Sequence, residues 1–561
     1  MRYLVKVLVL FISLFIFISC SSDSSSNIKK ADKCENIECK TGQSCNKNTG
    51  SCFCNDESEE LDESNNCVNK CKDIECGLEQ TCNQDTGACF CDDIDKKLDE
   101  NNTCICKKEN QIIDENNNCK DKEVILPVIE EVKAVETDYN FFTDKPNPKY
   151  TFSSNKSGEL KLSGDCEIEN KPEVKLGENE IIFDELASGL YDNCELWIVD
   201  EDNKESNHLK LTTFSVFNIL GVEQVKGRAD GKGVDYVIIG DGFQKHEMAL
   251  FREKADEFIE HILNYDPILS KQQGAWNIHL IDLVSKESGG DYSGGTPELV
   301  NTGLDSYFNC YDIPRLLCVN QSKVNFIVNK VVPQFDKVLV IVNSETYGGA
   351  GGDYATASIN YMGKEVAIHE LGHSFAGLGD EYVYGKTDIP TTEPWEVNLT
   401  INNNHETVKW KHWLHKDHVD IFEGGGYLEY GVFRPTLTSL MKDLGQPFYE
   451  INLEGWSLSL YRMAGTYFSK TPEAETLSLS TDINHDFEVE LSIGTEIQKV
   501  TWFVNDIEQT NLAEDTTSFS YGKDAVEDYQ IKVVITDKSR AILSDEEKVS
   551  EGIIIWNVTI E

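Results

Sequence analysis

Positive charge is scarce in this sequence. The chain of 561 residues has 51 lysine and arginine residues against 98 aspartate and glutamate residues, which gives a formal net charge of −47. A field of this sign repels phosphate groups at long range, so nucleic acid is excluded as a partner. The negative charge is spread along the chain rather than gathered in one tail, which is typical of a protein that stays soluble outside the cell.

The apolar run near the start of the chain is too short to cross a membrane. Arg2 and Lys6 precede a run over residues 7–18, whereas a membrane-spanning helix needs about 20 apolar residues. The pattern predicts a signal peptide at 1–20. Its end resembles a bacterial lipobox, which implies lipidation of Cys20; a plain secretory peptide is the alternative. With a serine-rich tether at 21–33, we expect an exported bacterial protein, anchored by lipid at the cell surface or outer membrane.

Cysteine is concentrated in one region. Of the 19 cysteines, 14 lie between Cys34 and Cys119. Paired C-x-x-C knuckles are lacking there and apolar residues are few, so the region predicts disulfide-stapled modules in an oxidising compartment rather than zinc sites. Six cysteines recur with a period of 37 residues, as Cys34, Cys39, Cys45, Cys52, Cys54 and Cys67 and again as Cys71, Cys76, Cys82, Cys89, Cys91 and Cys104.

A truncated third copy narrows the disulfide pairing. Cys106 and Cys119 reproduce the last two cysteines of a unit. If this half-copy closes on itself, the corresponding pairs are Cys54 with Cys67 and Cys91 with Cys104. The units resemble epidermal-growth-factor-like (EGF-like) modules, and this resemblance implies that the first cysteine pairs with the third and the second with the fourth: Cys34 with Cys45, Cys39 with Cys52, Cys71 with Cys82, and Cys76 with Cys89.

We place these modules at 34–70, 71–105 and 106–122, as a stalk or contact surface. Calcium binding is possible there but unsupported, because no Asp-x-Asp-Glu cluster precedes Cys34 or Cys71. Alternating patterns at 123–217 and 467–561 predict two immunoglobulin-like β-sandwiches, the first bridged by Cys166 and Cys194. Their expected role is spacing and support, or contacts with protein or glycan.

Strand and helix patterns alternate over residues 218–466, which predicts an α/β or α+β domain. Val234 to Ile239 reads as a buried strand, and Cys310 with Cys318 closes a short loop. The glycine-rich segment 347–353 lacks a following Gly-Lys-Ser/Thr, so it is not a phosphate loop. It predicts the rim of a cleft beside an edge strand at 354–359 that could pair with an extended peptide.

The motif His-Glu-Leu-Gly-His at 369–373 predicts a zinc site. On a helix, which we place at 364–376, His369 and His373 share one face and can bind one zinc ion, and Glu370 can act as general base. Gly379 stands where the extended form of this motif has its third histidine, and glycine cannot bind a metal. Gly377 can end the helix one residue late, which moves the third ligand to Asp380, with Glu381 as runner-up.

Residues 369–382 resemble the motif of the immunoglobulin A peptidase family of metzincin-like zinc endopeptidases, HExxH-S/T-F-x-G-L-x-D-E-Y. The resemblance extends to 236–243, 343–349, 431–435 and 439–441. It implies a protein or peptide substrate and one catalytic zinc ion on His369, His373 and Asp380, with Met441 in the turn beneath the metal. It does not imply immunoglobulin A as the substrate.

The sequence departs from some metzincins two residues after that methionine. Asp443 occupies a position where they carry a tyrosine. Any tyrosine that assists the oxyanion must therefore be another one, such as Tyr427 or Tyr430. We expect a lipid-anchored zinc metalloendopeptidase; the alternatives are a catalytically silent surface binding protein and a zinc-dependent hydrolase of cell-wall peptides.

Overall fold

The computed structural model describes residues 33–122, 125–139, 141–292, 299–387 and 389–561. These residues divide into two compact units, with the boundary between Ile125 and Leu126. The predicted signal peptide with Cys20, and the tether up to residue 32, lie outside the described residues. Within the described residues, no helix is long and apolar enough to cross a membrane. The chain is multidomain and mostly β.

The first unit is held together by cystines. Its described residues form seven disulfides, in the pairs that the half-copy and the EGF-like resemblance give. Besides Lys96, the buried residues described there are the half-cystines Cys91, Cys104 and Cys106. The strands, paired as short hairpins, are Gln43–Cys45, Cys52–Cys54, Glu59–Leu61, Cys67–Asn69, Gln80–Cys82, Cys89–Cys91, Lys96–Leu98, Cys104–Cys106, Gln111–Ile113 and Cys119–Asp121.

The second unit begins with a β region at 126–217. Its strands share one apolar core, which includes Phe152, Leu196 and the cystine Cys166–Cys194. The strands are Ile129–Lys133, Phe142–Thr143, Lys149–Ser154, Gly158–Ser163, Glu173–Val174, Gly177–Ile182, Gly189–Tyr191, Glu195–Val199, Leu209–Lys210 and Phe214–Val216. Alternating side chains face this core, as in Lys149–Ser154, so the period-two pattern has its expected structural origin. The immunoglobulin-like topology stays a prediction.

The chain ends in a second β region, in which two sheets enclose one core. Phe487 of one sheet packs with Trp502 and Trp556 of the other. The first sheet contains Tyr467–Thr471, His485–Leu491 and Ser518–Tyr521; the second contains Thr476–Leu479, Gln498–Val504, Ile507–Glu508, Tyr529–Asp537 and Gly552–Ile560. Here too the immunoglobulin-like assignment stays a prediction.

The central domain is built on a mixed sheet. In chain order, its strands are β1 (Ile219–Lys226), β2 (Val234–Asp241), β3 (Trp276–Leu283), β6 (Lys337–Val342), β7 (Gly349–Ala350) and β8 (Ala355–Ser358). The order across the sheet is β1-β3-β2-β6-β8-β7, with the two edge strands antiparallel to their neighbours. The two strands β4 (Tyr307–Phe308) and β5 (Leu317–Cys318) form a separate hairpin.

Helices cover both faces of this sheet. The helices are α1 (Met248–Leu263), α2 (Pro267–Lys271), α3 (Gln321–Val331), α4 (Gly363–Ser374) and α5 (Tyr449–Ala464), with short 3₁₀ turns at Lys245–Glu247, Gln273–Ala275, Cys310–Asp312 and Lys411–Trp413. Ile238 of β2 packs in the core with α1, α4 and α5, whereas Val237 and Ile239 pack with α3. A strand that is buried on both sides explains the unbroken apolar run from Tyr236 to Ile239.

The predicted edge strand at 354–359 is wrong in one respect. β8 lies inside the sheet, between β6 and β7, and β7 is the edge strand. The glycine-rich segment itself forms β7, because Gly349 lies against Val366 and the carbonyl of Thr356 so closely that a side chain there would be 2.3 Å from Val366 and 2.6 Å from Thr356. Runs of glycine carry no apolar alternation, so the sequence pattern did not reveal this strand.

A second small sheet stands beside α4. It contains β9 (Val383–Lys386), β10 (Phe422–Gly425) and β11 (Tyr427–Arg434), in the order β9-β11-β10. The backbone N–H of Gly426 donates to the carbonyl of Asp380 at 2.8 Å, and that of Tyr427 donates to the carbonyl of Tyr382 at 3.1 Å. These bonds tie the start of β11 to the chain that leaves α4.

Candidate metal centre and cleft

Helix α4 presents the HExxH residues toward one cleft. The helix begins at Gly363, where any side chain would lie 1.9 Å from the carbonyl oxygen of Ser358, so glycine lets the helix approach β8 closely. His369 and Glu370 are buried and His373 is half-buried. Their spacing places the two imidazoles on one helical face, as the sequence predicts, although α4 ends at Ser374 rather than residue 376.

The turn after α4 brings Asp380 to the two histidines. Gly377 adopts a left-handed conformation with φ +65°, and the backbone N–H of Leu378 donates to the carbonyl of Gly372 at 3.1 Å. Asp380 Oδ1 then lies 3.1 Å from His369 Nε2 and 3.2 Å from His373 Nε2. The two Nε2 atoms are themselves 3.2 Å apart. Three potential ligand atoms therefore converge on one point.

Neighbouring groups orient these three potential ligands. Nδ1 of His369 donates to the carbonyl of Leu440 at 2.9 Å, and Nδ1 of His373 donates to that of Leu378 at 2.6 Å. With the proton on each Nδ1, both Nε2 lone pairs face the shared point. The hydroxyl of Tyr427 donates to Asp380 Oδ2 at 2.5 Å, which leaves Oδ1 directed at the histidines. The donor set of two imidazoles and one carboxylate suits a divalent metal ion.

The electrostatics of the site favour positive charge. Burial acts to lower the pKa of His373, but the hydrogen bond with Asp380 and the charges of Glu370 and Asp380 raise it to about 9. Burial acts in the opposite sense on Asp380, and the hydrogen bonds with His369 and His373 hold the pKa of Asp380 well below its usual range. A cation shared by these groups is therefore stabilised.

Met441 and Glu381 form the floor of the site. Met441 is fully buried, and its sulfur lies where it would be 2.8 Å from a side chain placed at Gly372. Glu381 is also fully buried, and its carboxylate accepts hydrogen bonds from Asn398 at 2.9 Å, Ser439 at 2.8 Å and Asn452 at 3.2 Å. Of the two ligand candidates Asp380 and Glu381, the structure therefore brings Asp380 to the histidines and uses Glu381 to hold the Met441 turn.

The site opens into a cleft of about 570 Å³. Glu370 lines this cleft and also a neighbouring cavity of about 240 Å³. Its carboxylate lies beside Gly351, where a side chain would be 2.5 Å from Oε2. Because Gly351 follows β7 directly, the edge strand of the sheet ends next to the carboxylate of Glu370, the acidic residue of the HExxH motif.

Aromatic side chains form one wall of the cleft. The rings of Tyr382, Tyr384 and Tyr427 lie 5.1 to 5.6 Å apart in a cluster, with Tyr384 stacked on Tyr427. Arg315 donates hydrogen bonds to the hydroxyl groups of Tyr382, at 3.1 Å, and Tyr384. Sequence reasoning missed Arg315, which reaches the cleft from a separate segment, and Tyr384, which lies just beyond the recognised motif. Tyr382 is the last residue of that motif and could have been found.

The remaining predicted residues have clear positions. Tyr427 contacts Asp380, whereas Tyr430 is exposed and does not line the cleft. Asp443 accepts hydrogen bonds from Thr438 and Lys442 on the surface. The disulfide Cys310–Cys318 closes a loop that lines the cleft.

Comparison with known families gives one match, and it includes most of the residues that line the cleft. Residues 222–419 match the model of the IgA peptidase M64 family. This segment contains His369, Glu370, His373 and Asp380, and the resemblance recognised in the sequence is confirmed for it. Tyr427 and Met441 lie beyond the matched residues.

Other comparisons add little. Matching solved structures include SGBP-B of the mixed-linkage glucan utilization locus of Bacteroides ovatus, in complex with a mixed-linkage heptasaccharide, at 13% identity over 18% of this chain and 23% of that chain, with a TM-score of 0.12. They also include the extracellular domain of a hybrid two-component system of B. thetaiotaomicron, at 18% identity over 16% of this chain and 12% of that chain, with a TM-score of 0.12. Each match spans less than a quarter of this chain and less than a quarter of the matched chain, and these scores carry no conclusion. No curated protein matches the chain.

Proposed function

We propose that the protein is a zinc metalloendopeptidase that hydrolyses peptide bonds in extracellular proteins. The observation that carries this proposal is the convergence of His369 Nε2, His373 Nε2 and Asp380 Oδ1 within 3.2 Å of one another, beside Glu370 in an open cleft. These three residues would hold the ion. The family match to a peptidase over residues 222–419 supports the reaction class.

The residues around the ion would have different roles in the reaction. A bound zinc ion supplies Lewis acidity that polarises a carbonyl and makes water a nucleophile near neutral pH. Glu370, which lines the same cleft, takes the proton of the attacking water and returns it to the leaving amine. Tyr427 holds the Asp380 carboxylate in place through its hydroxyl group. An extended peptide along Ala350 and Gly351 would pass beside the Glu370 carboxylate.

The direct test of this mechanism is Glu370→Gln. We expect the variant to retain its zinc and to lose at least about 1,000-fold in kcat/KM on a peptide substrate, because proton transfer is lost while the three ligands stay. Metal content and hydrolysis should be measured on the same samples. Glu406→Gln, which makes the same charge change at an exposed position, is the control. Parental activity in Glu370→Gln would reject Glu370 as the base.

We further propose that the enzyme is exported and anchored by a lipid on Cys20. The seven disulfides among the described residues of the first unit support an oxidising compartment. Cys20→Ser should release the protein from the membrane fraction and abolish its labelling with radioactive palmitate in the bacterial cell. Membrane retention of the unlabelled variant would contradict this anchor.

A further inference from the structure

One wall of the cleft is a loop that a disulfide closes. Cys310 and Cys318 are joined, and between them Tyr311, Ile313 and Arg315 line the cleft. The backbone N–H of Gly349 in β7 donates to the carbonyl of Arg315 at 3.1 Å, so the loop is also bound to the edge of the central sheet. The Arg315 side chain therefore projects from a wall that is fixed both covalently and by the backbone.

Three arginines of the described residues form ion pairs with carboxylates, and Arg315, like Arg434 and Arg540, is not one of them. Arg228 pairs with Asp230 and Glu490, Arg252 pairs with Glu223 and Asp282, and Arg462 pairs with Glu547. In a chain with a formal charge of −47, carboxylates are available almost everywhere. Yet Arg315 forms no ion pair with any carboxylate of the described residues, although it is half-buried.

The hydrogen bonds of Arg315 leave much of its guanidinium group available. A guanidinium has five N–H donors. In the described residues only Nη2 has acceptors, which are the hydroxyl oxygens of Tyr382 and Tyr384. Nε and Nη1 have none there. A half-buried cation with free donors in a cleft is suited to bind a carboxylate by paired, charge-assisted hydrogen bonds.

A second cation lies near the cluster of Tyr382, Tyr384 and Tyr427. Lys386 lines the cleft, and its ammonium group lies 5.3 Å from the ring centre of Tyr427. Glu396 lines the cleft as well, beside Leu399 and Gly379. The cleft thus has positive charge at Arg315 and Lys386, beside the tyrosine cluster, and negative charge at Glu370, Asp380 and Glu396, so the position of a substrate's charged group is constrained.

We propose that Arg315 is a specificity-determining residue that binds a carboxylate of the substrate close to the scissile bond. This inference rests on the proposed peptidase function, and it gives the substrate class: peptides with an acidic side chain, or a free terminal carboxylate, near the cleaved bond. The tyrosines orient the guanidinium, and Lys386 adds long-range attraction for the same charge.

The experiment compares pairs of peptides that differ in one charge. One pair has glutamate or glutamine at the preferred position beside the scissile bond; the other ends in a free or an amidated carboxyl group near that bond. For each pair, the ratio of kcat/KM for the charged peptide to that for the neutral peptide is measured. Because a charge-assisted hydrogen bond is lost, Arg315→Gln should lower one of these ratios by at least about tenfold.

A matched variant and a second readout keep the test decisive. Arg462→Gln makes the same charge change outside the cleft lining and should leave both ratios unaltered. The same peptides are also titrated calorimetrically against Glu370→Gln protein with and without Arg315→Gln, so the preference is measured without turnover. A fall in the first ratio assigns an acidic side chain, and a fall in the second assigns a terminal carboxylate.

Two results would overturn the inference. If Arg315→Gln slows charged and neutral peptides equally, or if the parent prefers neither, Arg315 only supports the tyrosine cluster. If peptides bind with the expected preference but the parent hydrolyses none, the proposed peptidase function fails while the carboxylate site stands. The failure of one proposal is therefore distinguishable from failure of the other.

Discussion

At the scale of single residues, adjacent carboxylates have separate tasks. Asp380 faces the histidines, and Glu381 faces three donors behind the Met441 turn. The two carboxylates therefore have entirely different partners, although the residues are adjacent in the chain. Sequence spacing alone left both open as ligands, because their positions differ by one residue.

Substitutions at these two positions should therefore have different effects. Asp380→Ala removes a ligand and should weaken zinc binding by at least about 100-fold, with a modest change in stability. Glu381→Gln should keep the zinc but lower the free energy of unfolding by about 2 kcal/mol, because the amide nitrogen must replace an oxygen that accepts either from Asn398 and Asn452 or from Ser439. Chelator competition and urea unfolding measure the two quantities. Unchanged zinc affinity in Asp380→Ala would move the ligand to Glu381.

Zinc binding should also depend on pH through His373. Burial acts to lower the pKa of His373, but Asp380 and Glu370 raise it to about 9, above the usual value of 6.5. The stabilising imidazolium–carboxylate pair is therefore complete below about 6.5 and is lost as the pH rises through about 9. Since the ion needs the neutral ring, zinc affinity should rise roughly tenfold per pH unit below 9 and then level off. A flat affinity between pH 7 and 9 would contradict this.

At the scale of elements, the turn after α4 sets the position of Asp380, the proposed third ligand. Gly377 needs a left-handed backbone, and a side chain there would also lie 3.2 Å from Trp395. Gly445 is left-handed too, but open space surrounds it. A comparison of substitutions at these two glycines therefore distinguishes the effect of backbone strain from the effect of moving Asp380.

Gly377→Ala and Gly445→Ala should each cost about 1 to 2 kcal/mol of stability from backbone strain. Only Gly377→Ala should also weaken zinc binding, because the altered turn moves Asp380 away from the histidines. Unfolding and chelator competition measure both effects. Equal zinc affinity in the two variants would show that the turn does not position the ligand.

A feature of the structure could be predicted from the sequence when the residues that produce it lie close together in the chain. Helix α4 and the buried strand β2 follow from periodic patterns within a dozen residues, and the observed bounds agree within a few residues. The Gly377 turn and Asp380 follow from counting along one motif. Edge strand β7 could not be predicted in this way, because it depends on the packing of glycine. The contact of Tyr427 with Asp380 could not be predicted either, because it joins residues that are 47 positions apart.

At the scale of the whole molecule, the two units are stabilised differently. The first has cystines where other domains have an apolar core, and each of its disulfides spans 11 or 13 residues. A loop of this size contributes about 3 kcal/mol by constraining the unfolded chain. The described part of the second unit has large apolar cores and the disulfides Cys166–Cys194 and Cys310–Cys318.

Mild reduction of the disulfides should therefore affect the two units differently. We expect residues 33–122 to lose their structure, because few apolar side chains are buried there, while helix α4 stays folded. Hydrogen exchange before and after reduction would record this, with residues 218–466 as the internal reference. Retained protection across 33–122 in the fully reduced protein would show that contacts other than the disulfides hold the modules.

The central claim is that this chain hydrolyses peptides with a zinc ion held by His369, His373 and Asp380. The most direct measurement follows zinc content and cleavage of an unfolded protein mixture on one sample, before chelation, after chelation and after addition of stoichiometric zinc. We predict about one zinc ion per chain and cleavage that is lost and regained with it. Cleavage that continues at full rate in zinc-free protein, or zinc-loaded protein that cleaves nothing, would contradict the claim.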